Sequence, residues 1–283
     1  MRDFKFLQAA EIKPVSDAYK PSERCCAAAL NTFRSNIHLT ALSITTLPAF
    51  IFWTAGEWIS ACTRAKTQIV GDNASDAVIN SQFIKIHNRA QELMAVSMRT
   101  TREQQVQRLV GFTTMFEQFA AQAGPYAEVQ VEILIKHIAI QSWTAFETLT
   151  EDLVMEAVGA YPSLFANVPK DKLVFASKDR IRVAYKVAFP IDNTSILKLT
   201  DDSAIDALAL IRNLLIHSAG IVDQKFLTEA GKYQTMRKYR GLKIGATFPL
   251  DGAIVRSLVD GIVDNGIELV KAVDGWIRAH RPK

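Results

Sequence analysis

The amino-acid sequence predicts an all-α protein, an up-and-down bundle of four to five main helices with short accessory helices. Three observations predict it. Long stretches carry apolar residues at three- and four-residue spacing, the period of a helix face. Aspartates stand ahead of several of these stretches, where helix N-caps belong. Glycine or proline closes them, as at Gly124 with Pro125, at Gly159 with Pro162, and at Gly220.

Taken in order, residues 1–75 form an N-terminal extension, partly helical and of no evident chemistry, and 76–283 form the bundle. Pro14 and Pro21 make the first residues an irregular lead-in, and 23–34 read as a short helix. Residues 35–56 carry no charged side chain and are long enough in principle to cross a bilayer. Their several Thr and Ser residues, Pro48 and moderate hydrophobicity favour a buried segment over a membrane helix. Gly71, Asp72 and Asn73 make a break.

The first bundle helix begins at 76, with Asp76 as N-cap and Ile79, Phe83, Ile86, Ala90 and Leu93 along one face, and reaches about 121. A second long helix covers 127–160, its apolar face made by Ile135, Ile138, Trp143, Phe146, Leu149 and Leu153. Glu147, Glu151 and Asp152 lie on or near its polar side, and His137 sits among apolar residues as a core or interface histidine. Residues 177–189 suggest a short amphipathic helix, although their Val and Tyr leave a strand conceivable. A helix capped by Asp201 or Asp202 follows and ends at Gly220, and Asp251 caps a last helix carrying Val255, Leu258, Ile262, Leu269, Val273 and Ile277 on one side.

Composition narrows the function. A chain of 283 residues with a net charge of +4 has too small an excess to diagnose nucleic-acid binding. Cys25, Cys26 and Cys62 form neither a disulfide framework nor a paired metal spacing, which suits a reducing, cytoplasmic setting. The five histidines are scattered and no HExxH motif occurs, so no metal is expected, and no cofactor either. Phosphate-loop, dinucleotide-fold and nucleophile-elbow motifs are missing from the sequence too. No leader-like start is seen, so a cleaved signal peptide is not expected.

The helix before Gly220 carries the one constellation suited to chemistry. At about 100° per residue, Ile205, Leu208, Ile211, Leu215 and Ser218 fall on one side, with Leu214 at its edge. Asn213 and His217 lie together on the other, flanked by Arg212. Leu210 and Ile216 share that second side, so it is expected to face a cleft, another segment or a second subunit rather than bulk water.

Arg212-Asn213 followed by His217, with Ser-Ala-Gly after it, resembles the R-N-x-x-x-H motif of HEPN domains, in their RNase-like branch. Residues 143–153 resemble the earlier helix of such proteins, which carries a Glu in an apolar setting, here Glu147, and 181–189 resemble an accessory helix before the motif. The resemblance covers about 78–278 and leaves the first 75 residues unexplained. It implies an all-α bundle that dimerises through the motif helix. It also implies a metal-independent endoribonuclease, a toxin or defence component in some members and a non-catalytic RNA-binding, nucleotide-binding or dimerisation module in others. RNA, a second copy and an antitoxin or regulatory protein are the implied partners.

On that reading the adjacent 2′-OH of RNA is the nucleophile. His217 moves the proton, histidine being the side chain that titrates near neutrality. Arg212 forks onto the phosphate, Asn213 fixes the ring or holds substrate, and Glu147 orients Arg212. Simpler roles stay open: Arg212 paired with Glu147 or Asp206, His217 against the helix dipole, and Asn213 and Glu147 merely solvated. Lys232, Arg237, Lys238 and Arg240, interleaved with Tyr233 and Tyr239, are candidate RNA contacts or a solvated loop.

Overall fold

A computed structural model describes residues 13–97 and 125–281, with side chains described outside 42–55, 57, 95–97 and 125–131. Among the described residues the secondary structure is helical, with one isolated bridge between Ile221 and Thr247 in place of any sheet. The helices are α1 (Arg24–Val70), α2 (Asp76–Ser81), α3 (Phe83–Ser97), α4 (Pro125–Ala160), α5 (Lys178–Ala188), α6 (Thr194–Thr200), α7 (Ser203–Ser218), α8 (Gln224–Ala230) and α9 (Gly252–His280). Two short 3₁₀ turns, Lys170–Lys172 and Gln234–Tyr239, lie in the connections. The all-α bundle expected from the sequence is the fold observed.

The chain forms two compact units whose described parts are 13–44 with 128–281, and 45–97 with 125–127. This division does not follow the break at residue 75. In place of a short helix over 23–34, α1 is continuous over 47 residues, and Pro48 does not end it. Its first turns carry Cys26, Leu30, Phe33 and Ile37, spaced at four, three and four, and all are buried in the core of the larger unit. The N-terminal residues from 23 to 37 are therefore bundle, not extension. Among the described residues no helix is long and apolar enough to cross a membrane. The side chains of 42–55, on which the buried-segment reading of 35–56 rests, lie outside the described residues.

In the smaller unit Ala61 and Ala65 of α1 bury against Ile86 and Ala90 of α3, with Trp58, Ile79 and Leu93 alongside. The expected helix from 76 is interrupted at Gln82, and Ser75, not Asp76, takes the N-cap position. Phe83, placed on the apolar stripe by spacing, is 62 % exposed at the first position of α3, while Ile86, Ala90 and Leu93 of the same stripe pack inward. The continuation to 121 lies outside the described residues.

The larger unit packs Phe146, Leu149 and Leu153 of α4, Leu208, Ile211 and Leu215 of α7, and Ile262, Leu269 and Val273 of α9 around Phe33. Aspartates set three helix starts: Asp202 accepts from the Ala204 N–H at 2.7 Å, Asp223 from the Phe226 N–H at 2.6 Å, and Asp251 from the Ile254 N–H at 2.8 Å. Residues 178–188 settle as helix α5, Ser177 capping it through the Arg180 N–H. The close approach of α1, α4 and α9 depends on Gly266. A Cβ there would lie 2.8 Å from the Phe33 ring and 3.0 Å from a Leu149 methyl. Alanine in a helix ordinarily gains about 1 kcal/mol over glycine; here Gly266→Ala should instead lose roughly 1–2 kcal/mol through overpacking. Urea denaturation reads the sign, and a gain would contradict this packing.

Candidate functional site

Helix α7 buries its Ile205, Leu208, Ile211, Leu214 and Leu215 face and leaves Asn213, Ile216 and His217 exposed. Both faces thus fall where the helical period puts them. The helix stops at Ala219, which adopts the left-handed conformation at φ 52°, followed by Gly220 at φ 84°. The Gly220 N–H donates to the Leu214 carbonyl at 3.1 Å, six residues back, and this bond closes the helix end. The strap that follows is pinned at once: the Val222 N–H donates to the Ala246 carbonyl, and the Phe248 N–H to the Gly220 carbonyl, each at 2.8 Å. His217 is therefore on the last turn of a helix whose end is fixed on both sides.

Arg212 is half-buried, and its Nη1 donates to Asn213 Oδ1 at 3.0 Å. Because a guanidinium only donates, this bond commits the oxygen of Asn213 and leaves its NH₂ free. Among the described residues Arg212 Nε is buried without a hydrogen-bond partner. Glu147 of α4 is close enough to feel the Arg212 charge but is outside ion-pair distance among the described residues. Burial raises its carboxyl above the ordinary range; Arg212 and a hydrogen bond from Trp143 pull against that rise. Asp206, the other carboxylate considered for Arg212, is taken by Lys178 and Arg182, each at 3.0 Å.

Asn213 and His217 line a cleft of about 300 Å³ between α7, α8 and the start of α5. Leu210, Leu214 and Phe226 supply its apolar part, and Lys178, Lys225 and Glu229 its charged part. Lys178 is held in place by Asp206, by the Tyr233 hydroxyl and by the Tyr233 ring, whose centroid is 4.3 Å away. Burial works against its charge, but the bonds to Tyr233 and Asp206 outweigh it and hold the ammonium above the usual lysine range. Glu229 is held below the usual carboxylate range, chiefly by its hydrogen bond from Lys232. Sequence reasoning passed over Lys178, Lys225 and Glu229, because the turn at Gly220 brings Lys225 and Glu229 to His217 and the packing of α5 brings Lys178. The one local signal is Asp223, which stands three residues ahead of Phe226 as a cap.

The structure does not gather all the expected residues. None of Lys232, Arg237, Lys238 and Arg240 lines the cleft, although Lys232 reaches its edge by pairing with Glu229 at 2.6 Å. Tyr239 is buried edge-on against Phe248, and Tyr233 covers Lys178, so neither ring stands free as the stacking platform the sequence suggested. His137 is exposed, not a core residue. Its helix turn nevertheless adjoins the site, since the Lys136 side chain comes within 3.7 Å of the position a Cβ on Gly220 would take. Among the described residues no three His, Cys, Asp or Glu side chains converge as metal ligands.

No protein-family model, curated protein or solved structure matches this chain.

Proposed function

We propose that this chain is a metal-independent endoribonuclease of the HEPN type, acting in the cytosol as a homodimer, in the setting of a toxin or defence component. The observation that carries the reading is the exposed pair Asn213 and His217 on one turn of α7, with the Arg212 guanidinium bonded to Asn213 beside them. His217 has no hydrogen-bond or ion-pair partner among the described residues, so neither ring nitrogen is committed to the fold. Both nitrogens are therefore open to take up or give a proton.

The chemistry these residues suit is transesterification. One His217 takes the proton of the ribose 2′-OH, and the 2′ oxygen attacks the adjacent phosphorus. The bond from phosphorus to the 5′ oxygen breaks, and His217 of a second copy returns a proton to that leaving oxygen. Arg212 offers its fork to the phosphate, where negative charge builds. Glu147, whose carboxyl feels the Arg212 charge, orients the guanidinium.

A homodimer through α7 draws support from Ile216, 45 % exposed between Asn213 and His217, and from Ile133 of α4, 53 % exposed. These same isoleucines favour the second reading, a non-catalytic module of this fold that dimerises or holds RNA or nucleotide. Incubation with single-stranded RNA in excess EDTA separates the two. Cleavage giving 2′,3′-cyclic phosphate ends is expected, and an all-deoxy strand should stay whole. Intact RNA would leave the binding module as the reading.

A further inference from the structure

The cleft beside His217 has a hydrogen-bonding bias that its formal charges hide. Its carboxylates are already engaged. Asp223 accepts from the Phe226 N–H at 2.6 Å and from the Ser218 hydroxyl at 3.1 Å. Glu229 accepts from Lys232 at 2.6 Å and from the Tyr233 hydroxyl at 3.5 Å. Asp179, at the rim, pairs with Arg182 at 3.5 Å. Beside these engaged carboxylates stand donors with open capacity. Lys225 is exposed and has no partner among the described residues. Lys178 uses two of its three N–H groups, on Asp206 and Tyr233. Asn213 has both amide hydrogens without a partner among the described residues, Arg212 being bonded to its oxygen. Three donor groups with open capacity, two of them cationic, line one wall-to-wall space of about 300 Å³, large enough for a phosphate group with part of its sugar.

We propose that this cleft holds a phosphodiester of the bound RNA strand, next to the one being cut, through Lys225, Lys178 and Asn213. The identity of the ligand rests on the ribonuclease reading; the donor bias does not. A free phosphate or a nucleoside monophosphate offers the same chemistry, and the experiment tells these apart. A phosphodiester is favoured because the cleft opens directly beside His217, where the strand must pass, and because its apolar floor of Leu210 and Leu214 suits a sugar edge.

The test is anisotropy of a fluorescent 2′-O-methyl oligonucleotide, which lacks the nucleophile and stays intact, over a range of salt concentrations. Lys225→Gln should weaken binding roughly fivefold and lower the salt slope by about 0.7, the value expected when one phosphate fewer is neutralised on a single strand. Lys225→Arg should restore most of the affinity. Lys186→Gln, an equal charge loss on the exposed side of α5, should bind as the unaltered protein does. Equal affinity and slope for Lys225→Gln, or an equal loss from Lys186→Gln, would overturn the cleft. Displacement of the oligonucleotide by inorganic phosphate or adenosine monophosphate at the oligonucleotide's own affinity would overturn the phosphodiester in favour of a free-phosphate site. Cleavage in EDTA by the unaltered protein is scored separately. Cutting without Lys225 dependence removes the cleft and leaves the ribonuclease; Lys225-dependent binding without cutting does the reverse.

Discussion

Replacing His217 by alanine should lower RNA cleavage in EDTA by roughly 10²–10⁴-fold, the share that positioned acid–base groups supply, while leaving the fold intact. Both halves follow from where the side chain sits. It is exposed on the last turn of α7 and has no partner among the described residues. The fold loses only its favourable place against the helix dipole, about 0.5 kcal/mol. A side chain that costs the fold so little and the reaction so much is what proton carriage requires; a capping role gives the opposite ratio. Arg212→Lys sharpens the comparison. Lysine keeps the charge, but it loses the fork that reaches Asn213 and the phosphate together. Its cleavage should fall well below that of the unaltered protein although a positive charge remains. Equal cleavage by the unaltered protein and His217→Ala would end the catalytic proposal. A parallel loss of thermal stability and activity would mean that His217 serves the fold instead.

The parts of this protein that were legible in the sequence are those encoded within one helical turn or cap. Asp202 and Asp251 mark helix starts because a carboxylate reaches the backbone N–H two or three residues on. The two faces of α7 follow from period alone. The basic run 232–243 shows what a single composition cue misses. Tyr233, Met236 and Tyr239 recur every third residue, the period of a 3₁₀ turn, and that turn is Gln234–Tyr239. It carries Met236 and Tyr239 inward and leaves Arg237, Lys238 and Arg240 outside. Read as interleaved aromatics and cations, the run suggested stacking; read by its period, it is a small buried face with a charged back. The length of α1 and the cleft were not legible, for a different reason. Cys26 to Ile37 find their core on α4 and α9, more than a hundred residues away, and Lys178 meets Asp206 and Tyr233 only once α5 packs beside α7. Nothing local distinguishes Lys178 from an ordinary solvated lysine.

That long-range assembly has a weak point, and Asp274→Ala should expose it with a loss of about 3–5 kcal/mol, the range for breaking a buried charge network from one side. Asp274 of α9 is 1 % exposed. It accepts from the Glu23 N–H at 2.7 Å, at the entry to α1, and from the Tyr19 hydroxyl at 3.1 Å, and it lies 3.5 Å from Arg278. Burial, helped by the Asp274 charge, pushes the Tyr19 phenol up to about 12, which keeps it a donor at any working pH. Glu23, itself buried, is held by Arg281 at 2.8 Å and by the Tyr161 hydroxyl. Two carboxylates and two guanidiniums thus join the lead-in to α1, the residue just past α4, and the end of α9. Alanine leaves the Glu23 N–H without an acceptor and Tyr19 without its partner, and no methyl group replaces either bond. Relief of repulsion between Glu23 and Asp274 offsets part of this, which favours the lower end of the range. Asp274→Asn isolates the charge, because its amide oxygen still accepts from the Glu23 N–H; its loss should be about 1–2 kcal/mol. Urea denaturation of both variants measures the difference. If alanine costs no more than asparagine, the backbone bond at Glu23 contributes nothing and α1 is held by its apolar face alone. If both cost less than about 1 kcal/mol, the cluster is no stronger than a surface ion pair, and Phe33 seated over Gly266 is what binds α1 into the bundle.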